Sequence, residues 1–195
     1  WKFCGTAHTI IKCLDRPNYS AGDLWDRGYV IADGVGSRAF DPKKYFYDAE
    51  RLEKQFFETL FNDPDGLNHR SVFYCAQSYM DAGVAYIGKA IEWYTRVLEQ
   101  NNWSQEKYYS ALSLGGLYAR KNDKYNSLKY YCKTMEYDEG RIEGVASTME
   151  ILRADGNHVM VNALYHKYKN YNKFPQNKLF LTTEKYHDII EYNNS

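Results

Sequence analysis

The chain is poor in the residues that would commit it to a simple class. Its 195 residues include only 4 Cys, 4 Pro and 4 Met. Cys4, Cys13, Cys75 and Cys132 are widely spread and form no CxxC pair, which argues against a disulfide framework. Reduced thiols are the expectation, and with them a cytoplasmic location. Cys4, His8 and Cys13 can be drawn as a zinc cluster, but their spacing fits no common site and no fourth ligand is evident. Charge is balanced at 25 basic and 25 acidic residues, with no basic run or stripe, so nucleic acid is not an expected partner. No apolar run approaches the roughly 20 residues that span a bilayer, so no membrane span is expected. No signal-peptide pattern opens the chain, and its first residue is Trp1. The expectation is that part of the protein lies upstream.

What the chain has in abundance is tyrosine, 20 residues in an aromatic fraction of 17%. Tyrosine packs its ring while keeping its hydroxyl hydrogen-bonded or wet, which suits helix seams and sugar-binding faces. The N-terminal 1–14 carries Phe, Thr and Ile in strand-like alternation. Polar 15–27 reads as a loop, 28–32 (GYVIA) as a second short strand, and 33–38 (DGVGSR) as a glycine-bearing loop. Asp41-Pro42 reads as a helix start, with the aspartate as cap and proline at the first helical position.

From residue 42 the apolar period becomes helical, with Leu52, Phe56, Phe57 and Leu60 marking one face. The same reasoning predicts helices over 68–82, 86–101, 104–121, 124–137, 140–155 and 158–170, and a short capping helix over about 183–191. Two stretches share a pattern: SVFYCAQSYMDAGVAYIGKAIEWYTRVLE at 71–99 and YYSALSLGGLYARKNDKYNSLKYYCKTM at 108–135. Tyr79 followed by Ala90-Ile91-Glu92-Trp93-Tyr94 in the first is echoed by Tyr118 and Ser127-Leu128-Lys129-Tyr130-Tyr131 in the second. Repetition at this period predicts stacked helical hairpins, each too small to bury its own apolar face. Ala76, Ala90 and Gly115 would stand where helices cross closely, and Tyr79, Tyr94 and Tyr118 would fill the gaps between them. This pattern resembles the tetratricopeptide repeat, with extra residues after Gly83 and Ser127 where alanine is usual. The expected fold is mainly α: a tetratricopeptide-like α-solenoid over 42–195, preceded by a short β strand–loop–strand segment over 1–41.

Chemistry is expected before the repeats. His8 lies at a strand edge in GTAH, and Gly34-Val35-Gly36-Ser37-Arg38 joins two glycines to a hydroxyl and a guanidinium. Glycines let backbone amides approach an anion, and arginine offers a planar fork to phosphate oxygens. Carboxylates on the helices (Glu50 and Glu53; Glu136, Asp138, Glu139 and Glu143) are expected to form solvated, salt-bridged surfaces. His158, His166 and His187 lack partners at metal-ligand spacing, and His69 beside Arg70 is expected to be exposed.

The order GTAHTII (5–11), GYVIADGVGSR (28–38), a helix, then FYCAQSYMDAG…KAIEWYTRVLEQNNW (73–103) and LFLTTEKYHD (179–188) resembles the C-terminal region of inverting family-2 glycosyltransferases of the GT-A type. The resemblance covers nearly the whole chain. It implies that His8 stands at the C-terminal metal-ligating histidine for a divalent cation, Mn or Mg, and that Ser37 and Arg38 face the donor diphosphate. Where that family usually has an acidic residue after the histidine, this chain has Thr9. The nucleotide-sugar half, the Asp-x-Asp motif and the catalytic base would lie upstream, so no catalytic residue is expected in this chain and the fragment alone is expected to be inactive. The implied partners are a nucleotide-sugar donor and a glycan or glycoconjugate acceptor, with a protein partner or homo-oligomer open to the helices. The competing reading is a freestanding tetratricopeptide-like adaptor that holds a peptide in its groove.

Overall fold

The computed structural model describes residues 2–4, 7, 10–12, 41–63, 66–171, 175, 178–182 and 184–186, of which 2–4 and 10–12 are described as backbone only. It is mostly helical. The chain divides into two compact units, Trp1–Ala90 and Ile91–Ser195.

In the first unit, strands β1 (Lys2–Cys4) and β2 (Ile10–Lys12) pair antiparallel, with Phe3 opposite Ile11. The N-terminal strand content expected from the sequence is thus a hairpin within 2–12, while the strand expected at 28–32 lies outside the described residues. Helix α1 (Lys44–Glu58) follows a turn in which the Asp41 carboxylate accepts from the Lys43 amide at 2.9 Å. The helix therefore starts two residues after Pro42. Ala49, Leu52 and Phe56 recur at helical spacing and are buried, and α1 packs on α2 (Asn68–Asp81). Phe57 and Leu60, expected on the same face, are 50% and 45% exposed. Phe57 is adjacent to Phe56 and so points about 100° away around the helix, and Leu60 lies beyond its end. From α2, Val72, Phe73, Cys75, Ala76 and Tyr79 are buried. The Cys75 thiol donates to the Ala49 carbonyl at 3.6 Å, so alanine at 49 permits the close crossing. Asp63 accepts from the amides of Leu67 and Asn68, each at 2.8 Å, and satisfies the start of α2. Gly83, at φ 103°, turns the chain out of α2 into a 3-10 turn (Val84–Tyr86). That turn accommodates the extra residues seen in the sequence before α3 (Ile87–Glu99).

The second unit holds the rest of α3 with α4 (Ser104–Arg120), α5 (Lys124–Tyr137), α6 (Glu143–Ala154) and α7 (His158–Tyr168). Consecutive helices α4, α5, α6 and α7 pack pairwise. Asp123 caps α5 by accepting from the Asn126 amide at 3.1 Å, and Asn157 caps α7 through the Met160 amide at 3.2 Å. Gly115 on α4 lies under the Tyr131 ring, so close that a methyl group there would overlap the ring carbons. Ser127, in place of the usual alanine, is fully buried and donates its hydroxyl to the Gly115 carbonyl at 2.8 Å. Tyr118 and Tyr130 stack at 5.5 Å with planes 6° apart. Gly144 on α6 meets Thr134 and the Tyr131 carbonyl of α5, where a side chain has no room. Ile142, Val145, Ala146, Met149, Val161, Tyr165, Tyr168 and Tyr186 form one apolar cluster. Of the predicted C-terminal helix, residues 184–186 take a helical turn, and 187–191 lie outside the described residues.

Candidate functional site

A chemically mixed concavity lies in the first unit. Phe46, Glu50 and Glu53 stand four and three residues apart on one face of α1, and Tyr79, Tyr86 and Lys89 complete a hollow of about 400 Å³. The Tyr79 hydroxyl donates to Glu53 Oε2, and the Lys89 ammonium reaches Glu53 Oε1 at 2.8 Å. Burial, reinforced by the hydrogen bond to Glu53 and its charge, holds the Tyr79 phenol far above its ordinary range, so it remains a donor. The Phe46 and Tyr86 rings stack at 4.9 Å, and Tyr79 lies 6.1 Å from Tyr86. Glu50 is exposed and takes no hydrogen bond or ion pair among the described residues. The arrangement offers carboxylate acceptors, an ammonium donor and aromatic surface within one small volume.

A second constellation, in the second unit, uses the same residue types but is sealed. Arg141 and Glu143 have 0% side-chain exposure and pair at 2.6 Å. Glu143 Oε2 also accepts from the Tyr108 hydroxyl at 2.8 Å and the Tyr186 hydroxyl at 3.1 Å. Arg141 donates to Gln105 Oε1 at 3.1 Å and to the carbonyls of Leu179 and Phe180, each at 2.9 Å. Its guanidinium lies over the Tyr108 ring, 3.8 Å from the centroid. Burial first, and then the Glu143 charge, raises the Tyr108 and Tyr186 phenols well above their usual range. Next to it, Asp138 accepts from Gln105 at 3.0 Å and pairs with Lys178 at 2.7 Å. Burial acts to raise the Asp138 carboxyl, but the bonds from Lys178 and Gln105 outweigh it and hold the group below the usual range. Residues 178–182 and 184–186 are thereby fastened to α4 and α6. Phe180 is held in left-handed backbone, φ 58°, with its ring 5.1 Å from Tyr109.

These findings correct the expectation of solvated carboxylates. Glu143 is fully buried, and Asp138 and Glu53 are partly buried and internally bonded; Glu50, Glu136 and Glu139 are exposed as expected. A smaller hollow of about 220 Å³ near Asn122, Ser127 and Asp155 is crossed by the Lys124–Asp155 ion pair. His69, His158 and His166 are exposed. His8, Ser37 and Arg38 lie outside the described residues, as do Cys13 and His187, and of Cys4 only the backbone is described. Among the described residues, no group of three His, Cys, Asp or Glu side chains is placed to hold a metal ion. Sequence reasoning missed both constellations. The 46, 50, 53 spacing was a usable signal for the open one; the sealed one joins residues up to 43 positions apart and had none. No family model, no curated protein and no solved structure matches the chain.

Proposed function

We propose that this chain is the C-terminal portion of a metal-dependent, inverting GT-A glycosyltransferase, with its helices as a tetratricopeptide-like scaffold that positions the acceptor or a partner. The observation that carries the reading is the fastening of 178–182 and 184–186. Leu179, Phe180 and Tyr186, within the late block that carries part of that resemblance, bond to the buried Arg141 and Glu143. This attachment supports a reading in which helices and ending form one scaffold. In this reading the donor is a nucleotide-sugar, His8 contributes to holding a divalent cation, and Arg38 with Ser37 faces the diphosphate. Such a cation supplies charge neutralisation at the leaving group. The acceptor hydroxyl and its base meet upstream of this chain, and the helices contribute binding rather than bond making.

The test uses the full-length protein that contains this chain, with manganese and uridine or guanosine diphosphate-sugars. Thermal stabilisation by the donor and release of diphosphate are expected. His8→Ala and Arg38→Ala should each lower diphosphate release about 10²-fold, the loss typical of removing one charge-stabilising group. Wild-type rates in both variants would overturn the carry-over of these residues. Peptide capture by the helices without any response to donor would instead favour the freestanding adaptor.

A further inference from the structure

We infer that the hollow of Phe46, Glu50, Glu53, Tyr79, Tyr86 and Lys89 is a binding subsite for a neutral sugar ring. Its charge pattern sets two carboxylates beside one ammonium. An anionic group entering it meets the Glu50 and Glu53 carboxylates. A cationic group meets the Lys89 ammonium, which already holds Glu53 at 2.8 Å and stands 5.9 Å from the Tyr79 ring. A neutral polyhydroxylated ligand satisfies both signs at once. Its hydroxyls donate to the open Glu50 carboxylate and accept from Lys89, while its C–H face lies on aromatic surface.

The volume, about 400 Å³, is at the small end of ligand pockets and suits one or two sugar rings. The site is also braced. Tyr79 is almost wholly buried, and its hydroxyl fixes Glu53; Phe46 and Tyr86 hold one another by stacking at 4.9 Å. Four separate elements (α1, α2, the 3-10 turn and α3) thus present prearranged groups, which lowers the ordering cost of binding. Glu50 needs no such brace, because it is the acceptor left for the ligand. The inference deepens the transferase reading by placing part of a glycan acceptor on the helices, and it rests on that reading only for the source of the glycan.

The experiment is a glycan-array screen of the 195-residue chain beside its Glu50→Ala and Tyr86→Leu variants, with a lysine-rich peptide and an acidic glycan set on the same surface. Neutral glycans should bind the wild type, and Glu50→Ala should bind them about tenfold more weakly, the loss of a hydrogen bond to a charged group. Its urea unfolding curve should be unchanged, since Glu50 is exposed. Tyr86→Leu should weaken the same glycans. Preference for acidic glycans or the lysine peptide, absence of glycan binding, or binding indifferent to Glu50 would each overturn the proposal. In the full-length protein, Glu50→Ala should lower transfer to a neutral glycan acceptor, with donor hydrolysis by the wild type measured alongside. Absence of donor hydrolysis in the wild type would instead count against the transferase reading itself.

Discussion

Two constellations in this molecule use one design at opposite depths. In each, a glutamate lies between a tyrosine hydroxyl and a basic side chain: Glu53 between Tyr79 and Lys89, Glu143 between Tyr108 and Arg141. Lys89 is 45% exposed, whereas Arg141 and Glu143 are sealed. Depth alone changes what the group is for. A sealed ion pair must have every hydrogen-bonding position satisfied internally, since removing one partner strands a charge in low dielectric. Arg141 spends its donors on Glu143, Gln105 and two carbonyls of the 178–186 segment. Nothing is left for a ligand. The open pair keeps water on one side and an unengaged Glu50 beside it, so a ligand can exchange with solvent at small cost.

The comparison breaks first at Glu143. Glu143→Ala strands Arg141 and two tyrosine hydroxyls, and should destabilise the chain by about 3–5 kcal/mol, read as a shift of the urea midpoint. A loss under 1 kcal/mol would show that water reaches the pair. Gly144→Ala comes next. Its added methyl would stand 2.7 Å from the Tyr131 carbonyl, so α5 and α6 must separate, at a cost of about 1–3 kcal/mol. Unchanged stability would mean that the two helices are not in contact there. Glu53→Gln is the smallest. It keeps one acceptor oxygen and replaces the other with an amide donor, at a site open to water, and the change should stay below about 1 kcal/mol in the same assay.

Proton linkage separates the two ends of the pH scale. Asp138 has a depressed folded-state pKa, so its contribution is present above the unfolded value, about 3.9, and is lost as pH falls through the folded value. Acid below about pH 4 should therefore loosen the 178–186 segment, and Asp138→Asn should flatten the acid limb of the stability curve. Tyr79, Tyr108 and Tyr186 have raised values. Their stabilisation is complete below the unfolded phenol value near about 10 and declines as pH rises above it. Stability should fall steeply above about pH 10, with Tyr108→Phe reducing that slope. Slopes identical to wild type in both variants would remove these groups from the account.

The helices were largely legible in the sequence because their signals are local. Residues 124–137 were expected as a helix, and α5 runs Lys124–Tyr137; Gly83, Asn122-Asp123 and Asp155-Gly156 mark real breaks. Ala76, Ala90 and Gly115 stand buried where close crossings were expected. The start of α6 was not legible. A helix was expected from 140, but it begins at Glu143, because Gly140 and Arg141 are held in a turn by Asp138. Arg141-Ile142-Glu143 reads locally as a charged surface turn. Its burial is imposed by Gln105 and Tyr108 from one side in sequence and by Leu179, Phe180 and Tyr186 from the other. The open site was half legible: the face of α1 follows from spacing, but Tyr79 and Lys89 join it through tertiary packing.

One pair of matched substitutions addresses the contrast between sealed scaffold and open site most directly: urea unfolding of Arg141→Met and Lys89→Met measured side by side. The same residue replaces the base in each constellation, leaving Glu143 stranded in one and Glu53 in contact with water in the other. The predicted result is a loss of about 3–5 kcal/mol for Arg141→Met and at most about 1 kcal/mol for Lys89→Met. Equal midpoints for the two variants would contradict the division of the molecule into a sealed scaffold and an open recognition site.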